Sequence, residues 1–251
     1  SYLFGNELKS YDGIPKTLNE IIVTKTETIG DNAFYGCNNL TSIIIPDSVI
    51  DIGASAFSGC ISLTSVTIPN SVTSIGYDAF AGCTNLEKLI IGSGLESIGE
   101  YAFGSCPKLK TIIVDKSNKI YDSRNNSNAI IETSTNTLVL GCPNTTIPNS
   151  VTRIGTYAFY SCISLEEIAI PNSVISMDST FDGCTNLVNA PSIGNSVTDM
   201  YRTFYNCTNL VNAPVLGNSV TDMSGTFRGC TTCHLLVCLY KRIFHLHCLA
   251  A

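Results

Sequence analysis

Charge is scarce in this sequence. Only 14% of its 251 residues are charged, and the formal net charge is −6. It has no dense Lys/Arg cluster, which excludes a basic nucleic-acid-binding face. Long apolar runs are missing too: no stretch reaches the roughly 18 residues of a membrane-spanning helix. Acidic residues are scattered, and no Asp/Glu pair recurs in phase, so general acid–base chemistry has no candidate. Serine is abundant, yet no Gly-x-Ser-x-Gly elbow occurs. All three histidines, His234, His245 and His247, fall after residue 230. No catalytic residue, cofactor or small-molecule substrate is therefore expected. No basic segment followed by an apolar one opens the chain at Ser1, and there is no initiating Met. A mature or excised segment is expected.

What the chain has instead is repetition. A Phe-x-x-Cys pair recurs at Phe34/Cys37, Phe57/Cys60, Phe80/Cys83, Phe103/Cys106, Phe159/Cys162, Phe181/Cys184, Phe204/Cys207 and Phe227/Cys230. The phenylalanines are 23, 23, 23, 56, 22, 23 and 23 residues apart. A fixed period of this size marks a solenoid, in which no single unit can bury its apolar face alone.

Residues 63–83 are one complete unit. It opens with a strand pattern, seen at Leu40/Ile43/Ile45, Leu63/Val66/Ile68, Leu86/Leu89/Ile91 and Leu109/Ile112/Val114. Apolar residues alternate at the last two positions, as in a half-buried strand. Pro46 and Pro69 end it, because proline cannot continue a ladder. Ser-Val-x-x-Ile-Gly then supplies a second inward pair and a tight corner. Ala-Phe-x-x-Cys closes the unit and reads as a short helical turn. The expected fold is an α/β repeat: a right-handed solenoid of about nine coils of ~23 residues, with a parallel sheet on one side, short helical turns on the other and a rise near ~4.8 Å per coil.

Twelve cysteines suggest a disulfide framework, but eight share one phase of the repeat. Stacked equivalents point in parallel, and bridging them would require distortion. Free Cys packs well as a small hydrophobe. A reduced, buried ladder is expected, with Phe and Cys as its rungs.

Three stretches depart from the period. Residues 115–146 add a polar, turn-rich segment, then Ala129-Ile-Ile-Glu132 and Thr137-Leu-Val-Leu140 around a four-residue loop. This reads as an enlarged coil with a projecting hairpin. From residue 177 the wording becomes Met-x-x-Thr-Phe, and the strand becomes Leu-Val-Asn-Ala-Pro, so Pro191 and Pro214 should shorten it. Residues 231–251 leave the pattern. Cys233, His234, Cys238, His245, His247 and Cys248 crowd there at spacings poorly suited to zinc. That tail reads as non-native, as a capping helix or as a metal site, and no metal is assigned to it. The expected division is 1–230 as one solenoid and 231–251 as an atypical tail.

The phrase Ile-Pro-Asn-Ser-Val-Thr-Ser-Ile-Gly-x-x-Ala-Phe-x-Gly-Cys-x-x-Leu resembles the BspA-like leucine-rich repeat family of bacterial and protist surface proteins. The match covers 40–106 and 147–165, and more loosely 18–37. The inserted hairpin at 121–132 looks like one that recurs in that family, and the units from 177 resemble a sister class in bacterial surface lipoproteins. The resemblance implies a non-catalytic recognition or adhesion module at the cell surface or secreted. Its partner would be a protein or other cell-surface macromolecule, not a nucleic acid. The alternative is a structural spacer holding another domain.

The outward strand residues form stripes. One runs Ile22, Ile44, Thr67, Ile90, Ile113, Ala169; its neighbour runs Glu20, Ser42, Ser65, Lys88, Thr111, Glu167. An exposed aliphatic stripe suits a partner-binding face, whereas β-branched residues also simply pack along a pleated ladder. The candidate partner-binding residues are Ile44, Thr67, Lys88, Ile90, Thr111 and Ile113.

Overall fold

In the computed structural model, residues 2–4 and 17–233 are described. The chain divides into two compact units, Ser1–Ser123 and Arg124–Ala251, and the division falls inside the inserted segment. The described residues form a β-solenoid with parallel sheets and almost no helix.

In the first unit the described coils are built from long and short strands. The long ones are β1 (Tyr2–Phe4), β2 (Glu20–Val23), β4 (Ser42–Ile44), β6 (Ser65–Ile68), β8 (Lys88–Ile91) and β10 (Thr111–Val114). They form two parallel sheets, β1-β2-β4 and β6-β8-β10. The short strands, β3 (Thr28–Ile29), β5 (Asp51–Ile52), β7 (Ser74–Ile75) and β9 (Ser97–Ile98), form a second parallel ladder through about four turns. β11 (Tyr121–Asp122) ends this unit. Partners are one repeat apart, Val66 beside Leu89 and Leu89 beside Ile112. Like therefore stacks on like: Leu63 and Leu86, Val72 and Leu95, and Ala56 and Ala79 are all buried.

The Ala-Phe-x-x-Cys segments are not the helical turns the sequence suggested. In every rung the residue two before Phe has positive φ, as at Asn32, Ser55, Asp78, Tyr101, Tyr157, Ser179, Arg202 and Gly225. So does the residue two after it: Gly36, Gly59, Gly82, Ser105, Ser161, Gly183, Asn206 and Gly229. Such residues interrupt a right-handed helix, and the hydrogen bonds show the reason. The N–H groups of Ser55, Phe57 and Gly59 donate to Tyr77, Ala79 and Ala81 of the next coil at 2.7–2.8 Å. The intervening Ser58 and Cys60 donate three residues back, to Ser55 and Phe57, at 3.1 Å. A helix would spend every N–H within its own coil. Here every second peptide is turned outward to join coils, satisfying groups that burial would otherwise orphan.

In the second unit β12 (Ile130–Glu132) and β13 (Thr137–Leu140) pair antiparallel around the expected loop. The hairpin is built into the sheet more than it projects. β13 pairs parallel with β14 (Arg153–Ile154), and Ile130, Ile131 and Leu138 are fully buried. What stands out is the loop tip, Ser134 and Thr135. Beyond β14 the ladder thins to single parallel bridges, Arg153–Ser176–Asp199–Asp222, and Asn189–Asn212 on the long-strand side. Pro191 and Pro214 each remove a ladder donor from their coils, and the strand segment at 166–170, which has no proline of its own, is also not paired as a strand.

Candidate functional site

Each coil's Phe and Cys face inward. In the first unit Phe34, Phe57, Phe80 and Phe103 stack with centroids 5.1, 5.0 and 5.2 Å apart. In the second, Phe159, Phe181, Phe204 and Phe227 follow at 5.3, 5.5 and 5.7 Å. Among the described residues no cysteine forms a disulfide. Cys60 Sγ donates to the Phe34 carbonyl of the preceding coil at 3.2 Å, and Cys83 to Phe57 at 3.3 Å. Cys106, Cys184, Cys207 and Cys230 repeat this bond with Phe80, Phe159, Phe181 and Phe204.

Cys37 and Cys162 head the series in their units, and both are buried. The Cys37 N–H donates to the Phe34 carbonyl of its own coil at 3.2 Å, and the Cys162 N–H to Phe159 at 3.0 Å. Burial pushes the Cys60 and Cys106 thiols up to about 12, and Cys83, Cys184 and Cys207 rise for the same cause. A buried, protonated thiol is a poor nucleophile, so the ladder is a packing device.

Outward, the strand face of the first unit carries the candidate stripe. Ile22 pairs with Ile44, and Ile90 lies between Thr67 and Ile113. Ile44 is 54% and Ile113 44% exposed; Thr67 is exposed, and Ile90, flanked on both sides, is half-buried. In the next column Lys88 lies between Ser65 and Thr111. Lys88 is exposed and Thr111 half-buried. Lys110 reaches Glu87 at 2.9 Å, and its bond and charge hold that carboxyl below the usual range. Lys108 Nζ donates to Asn85 Oδ1 at 2.6 Å. The side chains do pack laterally along the ladder, and their outer faces still meet solvent.

The corresponding face of the second unit holds a groove of about 740 Å³, lined by Glu166, Glu167, Asn186, Val188, Asn189 and Asn209. Asn212 Nδ2 donates to Asn189 Oδ1 at 2.6 Å, and so extends the amide row. Glu167 belonged to the second stripe, but the groove around it was not anticipated. The signal was Asn186 and Asn209 recurring at one phase beside Glu166-Glu167. On the turn side, Arg202 stacks over Tyr205 at 4.2 Å, and Arg228 lies 5.9 Å from the same ring. Nothing in the sequence pattern had marked that cluster. Ala169, the last stripe residue, is exposed.

Among the described residues no group of three or more His, Cys, Asp or Glu could hold a metal ion. Of the tail residues considered for a metal, Cys233 is half-buried; His234, Cys238, His245, His247 and Cys248 lie outside the described residues. No described helix is long and apolar enough to cross a membrane.

The BspA type leucine rich repeat region matches residues 14–132 and 139–238, in six copies. Among solved structures, the pneumococcal vaccine antigen PcpA is similar over 79% of this chain and 58% of its own, with 17% identity and a TM-score of 0.59. This chain thus spans just over half of that protein. A leucine-rich repeat protein from Eubacterium ventriosum is 18% identical over 85% of this chain and 83% of its own, with a TM-score of 0.51. A leucine rich cell surface protein from Faecalibacterium prausnitzii is 24% identical over 86% and 78%, with a TM-score of 0.47. The first two share the solenoid fold. None of the curated proteins matches the chain.

Proposed function

Given that the chain belongs to the BspA-type leucine-rich repeat family, we propose that it is a non-catalytic recognition module, at the cell surface or secreted, that binds a macromolecule through its strand face. The observation that carries this reading is the in-register column Thr67, Ile90, Ile113, with Lys88 and Thr111 beside it and the exposed Ile44 at the same phase of the neighbouring sheet. Aliphatic side chains stacked at strand spacing and left open to solvent make an extended apolar patch, and solenoids bind along such repeated surfaces. A reaction centre instead needs unlike groups converging within hydrogen-bond reach, whereas this repeat sets like beside like. The location rests on family membership. The same reading counts about nine right-handed coils in the chain: four phenylalanine rungs in each unit and the enlarged coil between them.

The test uses immobilised extracellular-matrix proteins and whole cells. Ile90→Asp and Ile113→Asp should weaken binding at least about tenfold, a loss of roughly 1.4 kcal/mol, while thermal unfolding barely changes. If binding survives these substitutions and is lost when the exposed loop tip carries Ser134→Lys and Thr135→Lys, the hairpin is the site. If neither change matters, the array is a spacer.

A further inference from the structure

Three phases of the repeat share the outward strand face: the residue before the strand leucine, and the first and second residues after it. Around Leu86 and Leu109 they hold Lys88, Lys108 and Lys110 against one carboxylate, Glu87. Glu87 is already engaged by Lys110. Around Leu165, Leu187 and Leu210 they hold Glu166 and Glu167 and no cation. Lysines exceed carboxylates by two on the first face, and carboxylates exceed lysines by two on the second. Each face also has exposed aliphatic residues: Ile113 at 44% on one, Val188 at 43% and Val211 at 42% on the other. The acidic face is recessed as the groove described above.

We propose that the occupant of the groove at Glu166 and Glu167 is a second copy of this chain, presenting its Lys88/Lys108 face. The proposal rests on reading the strand face as an interaction surface, and names the partner. Opposite charges would steer the encounter and set the register, and Val188 and Val211 would meet the aliphatic column beside the lysines. Because the two faces differ, the contact is heterologous. Each bound pair keeps one unused face of each kind, so association continues into rings or open chains.

Sedimentation of the intact chain tests this over a concentration series in low and high salt. Average mass should rise with concentration and fall back in high salt, because exposed charge pairs are screened. Two doubly substituted chains are then made: Lys88→Glu with Lys108→Glu, and Glu166→Lys with Glu167→Lys. Each alone should associate at least about tenfold more weakly, since attraction becomes repulsion. Mixed one to one they should associate again, because the reversed lysine face of one now fits the reversed acidic face of the other. That rescue also shows that both variants are folded. A chain that stays monomeric at every soluble concentration overturns the inference, as do reversed chains that associate like the parent. The Ile90 and Ile113 binding test is independent of either outcome.

Discussion

At the scale of single residues, one substitution in the repeat explains how two kinds of coil make the same wall. In the first unit the corner isoleucine carbonyl accepts from the glycine N–H of the next coil: Gly76 to Ile52 at 2.8 Å, Gly99 to Ile75 at 2.7 Å. Glycine is needed because the coils touch there. A Cβ on Gly76 would lie 2.6 Å from the Ala54 nitrogen. From Met177 onward that corner is one residue shorter and the glycine is gone. The donor becomes a buried threonine hydroxyl, Thr203 to the Met177 carbonyl and Thr226 to the Met200 carbonyl, both at 2.7 Å. Met-x-x-Thr-Phe is therefore a compensated form of Ile-Gly-x-x-Ala-Phe. Thr203→Val keeps the shape and removes the donor, leaving a buried carbonyl short of a partner at a cost of about 1–3 kcal/mol. The urea midpoint should drop with an unchanged slope, while Thr203→Ser should lose much less. Equal losses for the two would show that the methyl group, not the hydroxyl, matters.

At the scale of elements, the ladder behaves as one apolar column, and pH is the way to probe it. An unfolded-chain thiol ionises near about 9, whereas Cys60 and Cys106 are held up at about 12 by burial. Below pH 9 both states keep the proton and the packing contribution is fully present. Between about 9 and 12 the unfolded chain loses protons that the native one retains, so stability falls as pH rises, by up to about 1.4 kcal/mol per pH unit for each such thiol. Urea unfolding at pH 8 and pH 10 should show that fall, and Cys60→Ala should make it shallower. Thiol titration at pH 8 should label Cys60 and Cys83 only after denaturant is added; rapid native labelling would contradict the ladder. These rungs were legible in the sequence because their spacing is fixed and their side chains are of one type. Strand stacking and the weakening at Pro191 and Pro214 were equally legible. The turn conformation was not. Tyr157 and Arg202 are poor markers of positive φ, and Ala-Phe-x-x-Cys has the spacing of a helical face. Coil-to-coil hydrogen bonds override local preference there, and a single repeat read alone cannot reveal them. The groove at Glu166 was hidden likewise, because it is assembled across coils from residues 20 or more apart in the chain.

At the scale of the molecule, a structure built from nearest-neighbour contacts should tolerate loss of a whole coil and not of part of one. Deleting residues 64–86 joins Leu63 to Glu87, so Leu63 takes the place of Leu86 and every later phase is preserved. Phe57 and Cys60 then face Phe103 and Cys106, as Phe80 and Cys83 did, and the strand neighbour of Lys88 becomes Ser42 in place of Ser65, while Thr111 keeps Lys88. One rung is lost, with its share of buried area, but no buried group is stranded. Deleting residues 64–75 instead joins Leu63 to Gly76. The strand of that coil disappears while its turn stays, and the inward Val66, Ile68, Val72 and Ile75 leave a gap against the coils on both sides. The whole-coil deletion should still unfold in one sigmoidal transition, at a modestly lower temperature. The part-coil deletion should broaden or abolish that transition, because the coils either side lose their contact with one another. Circular dichroism melts of the two chains decide the point. If both deletions are equally harmful, the first unit is held together by a long-range core and not by addition of coils.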